Sequence, residues 1–198
     1  MGLTVEKCLQ AWTNSLRHMN AKADIVFFGD SLTYYGDFSS VFPDKVVCNL
    51  GLRGDTIQGM IDRVEQVALL EPKVVFLMGG INDVGILPSN VFEKCYETLL
   101  LHIIKQANGA KIFVQSMLPV NNKQFSIGCN NEQILKSNIL INLLCVRYEL
   151  SFIDLYSLYI NDNVLPEELT IDGIHLYPSS YKLWKSVLCS LYEDYALY

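Results

Sequence analysis

No run of lysines and arginines occurs anywhere in this sequence, which carries 15 basic residues against 21 acidic ones. Nucleic acid and anionic membranes are both gripped by concentrated positive charge, so a net charge of −6 argues against either partner. Clustered cysteine is missing too. Cys8, Cys48, Cys95, Cys129, Cys145 and Cys189 lie far apart with no C-x-x-C pair. That spacing suits neither the disulfide framework of a small secreted domain nor a zinc site, and reduced thiols filling small core positions are expected. Apolar runs such as 74–81 are too short to cross a bilayer, so no membrane span is expected. The opening Met1-Gly2-Leu3-Thr4-Val5-Glu6-Lys7 has neither the basic start nor the apolar stretch of a signal peptide. Glu6 stands where a myristoylation signal needs Ser or Thr. The expected location is therefore cytoplasmic, unless a leader once preceded this start.

What is present suits a compact enzyme. Half of the residues, 51%, are hydrophobic and 18% are charged, against disorder. The 198 residues fit one domain, 1–198, able to bury a core without metals or disulfides. No repeat, linker or low-complexity tract divides them. Short apolar runs at 24–28, 45–49, 73–78, 111–116 and 151–155 are nearly continuous, as in parallel strands covered on both faces. Helical periodicity fills 56–70, 90–106, 132–148 and 180–195. Asn90 with Glu93, and Asn130 with Gln133, have the spacing of a helix cap and its reciprocal partner. This alternation predicts a parallel sheet between helices, with ligands beyond the carboxyl ends of the strands. The segments after the first three strands are Gly29-Asp30-Ser31-Leu32, Gly51-Leu52-Arg53-Gly54-Asp55 and Gly79-Gly80-Ile81-Asn82-Asp83, which would share one rim.

Ser31 sits where the chain turns from a buried strand into a helix, so its hydroxyl faces the positive end of a helix dipole. Asp and Ser are also ordinary helix caps, so Gly-Asp-Ser alone decides little. In Asp172-Gly173-Ile174-His175 the acid and the imidazole become neighbours on a tight turn, and the carboxylate can then fix the His tautomer. Gly54, with no side chain to shield its N–H, and Asn82, with an uncharged NH₂, can donate to an oxyanion alongside the Ser31 N–H. Each of these two also has a plain reading as a turn or cap residue. Asp30 and Asp83 are read as loop-fixing caps. Arg53, beside Gly54, is positioned to meet an anionic substrate or simply to be solvated. Asp154, after the fifth strand, is a rival to Asp172, but an α/β-hydrolase triad expects a G-x-S-x-G elbow that Phe28-Gly29-Asp30-Ser31-Leu32-Thr33 does not match.

Gly29-Asp30-Ser31-Leu32, Asn49-x-Gly51-x-x-Gly54-Asp55, Gly80-Ile81-Asn82-Asp83 and Asp172-Gly173-Ile174-His175-Leu176 resemble, in order, the conserved blocks of the SGNH/GDSL hydrolases. Segment 49–56 and the close run of Asp172, His175, Tyr181 and Trp184 look most like the small bacterial esterases related to the catalytic subunits of platelet-activating-factor acetylhydrolase. The resemblance implies a three-layer α/β/α, flavodoxin-like fold with a five-stranded parallel sheet. It implies ester hydrolysis through an acyl-serine, with Ser31 as nucleophile, His175 as base and Asp172 as its orienting acid. Ser31, Gly54 and Asn82 would form the oxyanion hole. No cofactor and no metal is implied, and the two remaining histidines, His18 and His102, fall in expected helices. A homodimer is expected by analogy with relatives that pair.

Substrate choice stays open at this level. Tyr34, Tyr35, Ile174, Leu176 and Tyr177 would bound a small acyl pocket favouring acetyl or other short groups, or else the tyrosines lie on the outer face of the first helix. The loop 119–130 is a candidate lid on the alcohol side, which would be a sugar, a lipid or a small alcohol. An acyltransferase using the same acyl-serine, and a non-catalytic carbohydrate- or peptide-binding domain, are the rival functions.

Overall fold

In a computed structural model, which describes residues 5–124 and 128–195, five parallel strands form one sheet in the order β2-β1-β3-β4-β5. They are β1 (Ile25–Gly29), β2 (Val47–Gly51), β3 (Val74–Met78), β4 (Lys111–Gln115) and β5 (Ser151–Ile153). Helices α1 (Val5–Met19), α3 (Ile57–Arg63), α4 (Glu65–Leu70), α5 (Ser89–Gln106) and α6 (Asn131–Arg147) supply one flanking layer. The other holds α7 (Tyr156–Tyr159) and α8 (Tyr181–Tyr195), while the single turn α2 (Ser31–Tyr34) caps β1. The result is the expected three-layer α/β/α arrangement.

The continuous apolar strands follow from this layering, because successive side chains point to opposite faces and both faces are covered. In β1, Val26 and Phe28 enter the core under α3 to α6, while Ile25 and Phe27 enter the core under α8. On the α8 side Phe27, Phe76 and Phe113 stand side by side in register on β1, β3 and β4 and stack at 4.8 and 5.1 Å. Phe38 closes the ladder on Phe27 at 4.0 Å. Such pairs add about 0.5–1.5 kcal/mol each beyond area burial. Cys129 and Cys145 fill buried positions as small apolar groups, whereas Cys189 is exposed.

Some boundaries differ from expectation for local reasons. The second strand starts two residues late, at Val47, because residues 43–45 turn after Pro43 and the Val46 N–H is taken by the Asp24 carboxylate. The helix expected over 56–70 is two helices broken at Val64, whose N–H turns back to Ile61 O at 3.4 Å. Asn130 and Gln133 do form a reciprocal cap at the start of α6. Asn90 does not cap α5, which begins one residue earlier, directly after Pro88. Helix α1, expected only as a helix around His18, runs from Val5 to Met19. In the loop 119–130, residues 125–127 lie outside the described ones. Much of the rest is fastened, with Asn121 N–H on Gly173 O at 2.7 Å and Asn131 bonded to both Val120 backbone groups at 2.8 Å.

Arg63 sets the positions of the strand ends. Its guanidinium is buried and donates to Asp55 Oδ2 (2.7 Å), to Leu50 O of β2 (2.8 Å) and to Gly29 O of β1 (2.9 Å). Phe28 lies beneath it at 4.3 Å. Replacing Arg63 with Met would leave the buried Asp55 charge without its cation, holding only the Thr56 N–H, and would strip Leu50 O and Gly29 O of their guanidinium donors, although Gly29 O keeps the Leu52 N–H. Urea unfolding at pH 7 is expected to show a loss of about 3–5 kcal/mol, and a loss below about 1 kcal/mol would contradict the clamp.

Candidate active site

The register aligns Gly29 with Gly51 on one side and with Met78 on the other, so the chain leaves β1, β2 and β3 at one level. The first exit is the turn that carries Ser31. Asp30 caps it, with Oδ1 accepting the Leu32 N–H at 2.9 Å. Asn49 donates to Thr33 O (2.8 Å) and Gly36 O (2.9 Å) while accepting the Gly51 N–H. Tyr181 donates its hydroxyl to Leu32 O at 2.7 Å. Gly51 passes so close that a Cβ there would lie 2.2 Å from Tyr34 N. A four-residue turn has little stability of its own, so these contacts from the end of β2 and the start of α8 are what hold Ser31.

His175 comes to Ser31 from the far end of the sequence. Thr170 starts the turn, donating to His175 O and accepting the Gly173 N–H. Asp172 Oδ1 accepts the Ile174 and His175 N–H groups at 3.0 and 2.8 Å. Its Oδ2 faces His175 Nδ1 at 2.7 Å. A carboxylate can only accept, so Nδ1 carries the proton and Nε2 is left bare toward Ser31 Oγ, 3.0 Å away. Burial works to raise the Asp172 pKa, but the His175 side chain and these two backbone donors outweigh it and hold the carboxyl below its ordinary value. Asp154 takes no part: it caps α7 through the Ser157 N–H and hydroxyl.

Gly54 and Asn82 leave the neighbouring strand ends. Gly54 adopts a left-handed φ of +70°, which a side chain would oppose. Asn82 donates one Nδ2 hydrogen to Asp55 O at 2.8 Å, tying the loop after β3 to the loop after β2 and leaving its second hydrogen unassigned. Asp83 accepts the Ile57 N–H at 3.0 Å, so both Asp30 and Asp83 act as caps, as their sequence positions suggested.

A cavity of about 290 Å³ opens beside the triad of side chains, bounded by Tyr35, Ile171, Leu176, Pro178 and Tyr181 together with Asp172 and His175. Tyr35 sets its ring edge against His175 at 5.5 Å, and the Arg53 guanidinium lies 5.7 Å from the Tyr35 ring centre. Tyr34 packs on Tyr35 but does not line the cavity. Ile174 is turned into the main core, and Tyr177 is exposed and likewise does not line it. Ile171, Pro178 and Tyr181 were missed as wall residues. Arg63 was missed as well, although a charge beside the apolar stripe Ile57, Met60, Val64 and Val67 was a readable sign of an inward guanidinium. Among the described residues no three His, Cys, Asp or Glu side chains converge as metal ligands, and no helix is long and apolar enough to cross a membrane.

The profile of the GDSL-like Lipase/Acylhydrolase family matches residues 27–183. The chain belongs to this family. Its activity class is accordingly that of an ester hydrolase. A structure from Streptococcus pneumonia whose name refers to platelet activating factor aligns over 100% of both chains, with 24% identity and a TM-score of 0.77. A GDSL-like lipase of Bacteroides thetaiotaomicron aligns over 98% of this chain and 99% of its own, with 20% identity and a TM-score of 0.77. An acetyl xylan esterase covers 83% of this chain and 98% of its own, at 22% identity and a TM-score of 0.68. At these identities the likeness establishes the fold. No curated protein matches the sequence.

Beneath Ser31 the acids are buried in excess. Burial, reinforced by the Asp55 and Asp83 charges and opposed by the Leu32 N–H and Arg63, pushes the Asp30 carboxyl up to about 7. Its Oδ2 is enclosed with no protein donor among the described residues. The folded chain therefore keeps this proton up to about pH 7, while the unfolded chain sheds it near about pH 4. The folded state binds the extra proton, so stability falls as pH rises across that window. Asp83, pushed up to about 6 chiefly by burial, adds to the fall. Asp30→Asn keeps an acceptor for Leu32 and removes the Asp30 share. Thermal melts at pH 5 and pH 8 are expected to differ less in the variant than in the wild type, by on the order of 5 °C. Equal differences would contradict a neutral Asp30.

Proposed function

We propose that the protein is an acylesterase that works through a covalent acyl-Ser31, with His175 as general base and acid and Asp172 holding its tautomer. The observation that carries this reading is the unbroken line from Asp172 Oδ2 to His175 Nδ1 (2.7 Å) and from Nε2 to Ser31 Oγ (3.0 Å). His175 Nε2 takes the Ser31 proton as Oγ attacks the ester carbonyl. The oxyanion is met by the Ser31 and Gly54 N–H groups and the Asn82 amide. The imidazolium then gives its proton to the departing alcohol, and water repeats the cycle to release the acid. No step calls for a metal or organic cofactor.

The substrate class proposed is a short-chain, chiefly acetyl, ester of a sugar, lipid or small alcohol. The small cavity closed by Tyr35, Leu176 and Tyr181 supports it. The scattered, free Cys48, Cys95, Cys129, Cys145 and Cys189 support a cytoplasmic setting, and the single sheet with cores on both faces supports one domain.

The test is hydrolysis of p-nitrophenyl acetate. Ser31→Ala is expected to fall to the uncatalysed background, and Asn82→Ala is expected to lose roughly 10²–10³-fold in kcat. Wild-type rates in Ser31→Ala would end the proposal, and a loss of tenfold or less in Asn82→Ala would remove Asn82 from the hole. Across acetyl, butyryl and hexanoyl esters kcat/KM is expected to stay flat or fall. A rise of roughly fourfold per methylene, matching about 0.8 kcal/mol of burial, would instead mark a long-chain enzyme. Suppression of free-acid release by an added alcohol acceptor would mark a transferase.

A further inference from the structure

The sequence holds four arginines, and three of them face an acid in the folded chain. Arg17 pairs with Glu65, Arg63 with Asp55 and Arg147 with Glu97. Arg53 is the exception. It is exposed on the loop after β2, and among the described residues its guanidinium has no acceptor. Asp55, Asp62 and Glu65 bound a cavity of about 620 Å³ together with it. All three are committed elsewhere, Asp55 to Arg63, Glu65 to Arg17 and Asp62 to the Gln58 amide at 2.8 Å.

Arg53 is nevertheless not laid out into water. Its Cζ lies 5.7 Å from the centre of the Tyr35 ring, and that same ring sets its edge against His175 at 5.5 Å. Its backbone runs directly into Gly54, whose N–H is one of the proposed oxyanion donors. An arginine resting on an aromatic ring keeps its N–H fork for a ligand, and the fork matches two oxygens of a carboxylate or a phosphate.

We infer that Arg53 selects an ester whose alcohol half carries an anionic group, a carboxylate or a phosphate. This rests on the acyl-serine reading above and narrows its alcohol from a sugar, lipid or small alcohol to a negatively charged one. The side of the ester follows from placement. Arg53 does not bound the cavity of about 290 Å³ that suits the short acyl group. It meets that cavity only through Tyr35, so it faces the other half of the ester. With a net charge of −6 the chain as a whole does not draw anions, and recognition of one falls to local donors.

The test compares acetyl esters that differ in the charge of the alcohol half. The anionic 3-acetoxybenzoate and 3-acetoxyphenyl phosphate are set against the neutral 3-acetoxybenzamide, each corrected for the rate of Ser31→Ala. At low salt the wild-type kcat/KM is expected to favour at least one anionic ester by about tenfold or more, and the preferred one names the group. In Arg53→Ala the anionic-to-neutral ratio is expected to fall roughly 10–100-fold, chiefly through KM. Arg53→Lys, which keeps the charge without the fork, is expected to restore part of it. Sodium chloride at about 0.5 M is expected to lower the wild-type ratio and leave that of Arg53→Ala unmoved. A wild-type ratio near one, or a ratio that Arg53→Ala does not change, would overturn the inference while acetyl hydrolysis stands. If the wild type leaves all three esters intact the inference falls, and p-nitrophenyl acetate tells whether the acyl-serine reading falls with it. An Arg53-dependent preference for mono-4-nitrophenyl succinate alone, whose charge is on the acyl half, would overturn the assignment to the alcohol.

Discussion

The arrangement of the rim depends on one buried cation. Arg63 reaches up from α3 and binds carbonyls at the ends of two adjacent strands, Gly29 of β1 and Leu50 of β2, together with the Asp55 carboxylate. Where the loops diverge a parallel sheet stops pairing its carbonyls regularly, and in a dry interior an under-bonded one is costly; Gly29 O takes the Leu52 N–H besides Arg63. Arg63 satisfies both with donors in a fixed fork. In doing so it ties the turn that carries Ser31 to the loop that carries Gly54. Asn82, through its bond to Asp55 O, extends the same network to the loop after β3. The three exits that frame the candidate site are thus held by one guanidinium and its acid.

The acids around this cation serve different ends because their surroundings differ. Asp55 is paired, yet burial still outweighs Arg63 and raises its pKa. Asp30, fully buried with a single backbone donor, is the most strongly driven toward the neutral form of the three. Asp172 lies outside this group on a half-exposed turn with three donors, and it alone is held below its ordinary value. The carboxylate that must stay charged beside His175 is therefore the one with the most hydrogen bonds, and the acid under Ser31, pushed up to about 7, reaches its full negative charge only above that pH.

Much of this was legible in the sequence, and the reasons are local. Strands covered on both faces read as apolar runs, so Phe27, Phe76 and Phe113 announced their elements. Chain exits from such strands need glycine and small polar residues, which placed the Ser31, Gly54 and Asn82 loops on one rim. Asp172 and His175 meet through a turn coded within six residues, from Thr170 to His175. Features assembled from distant segments were not legible. The Tyr181 hydroxyl on Leu32 O joins residues 149 positions apart, and the cavity wall combines Tyr35 with Ile171 and Pro178. Ile174 looked like a pocket residue by its place beside His175, but the turn that aims the imidazole outward aims Ile174 into the core. Helix breaks such as Val64 arise from packing and have no Gly or Pro to mark them.

The central claim is that Ser31 is a nucleophile activated by His175, and active-site labelling tests it most directly. The purified chain would be treated with a fluorophosphonate, whose phosphorus is attacked by an activated hydroxyl as fluoride leaves, and the adduct located by peptide mass mapping. The expected result is one phosphonyl group per chain, on Ser31, with no adduct in His175→Ala under the same treatment. An unlabelled wild type, or an adduct on any other residue, would contradict the triad.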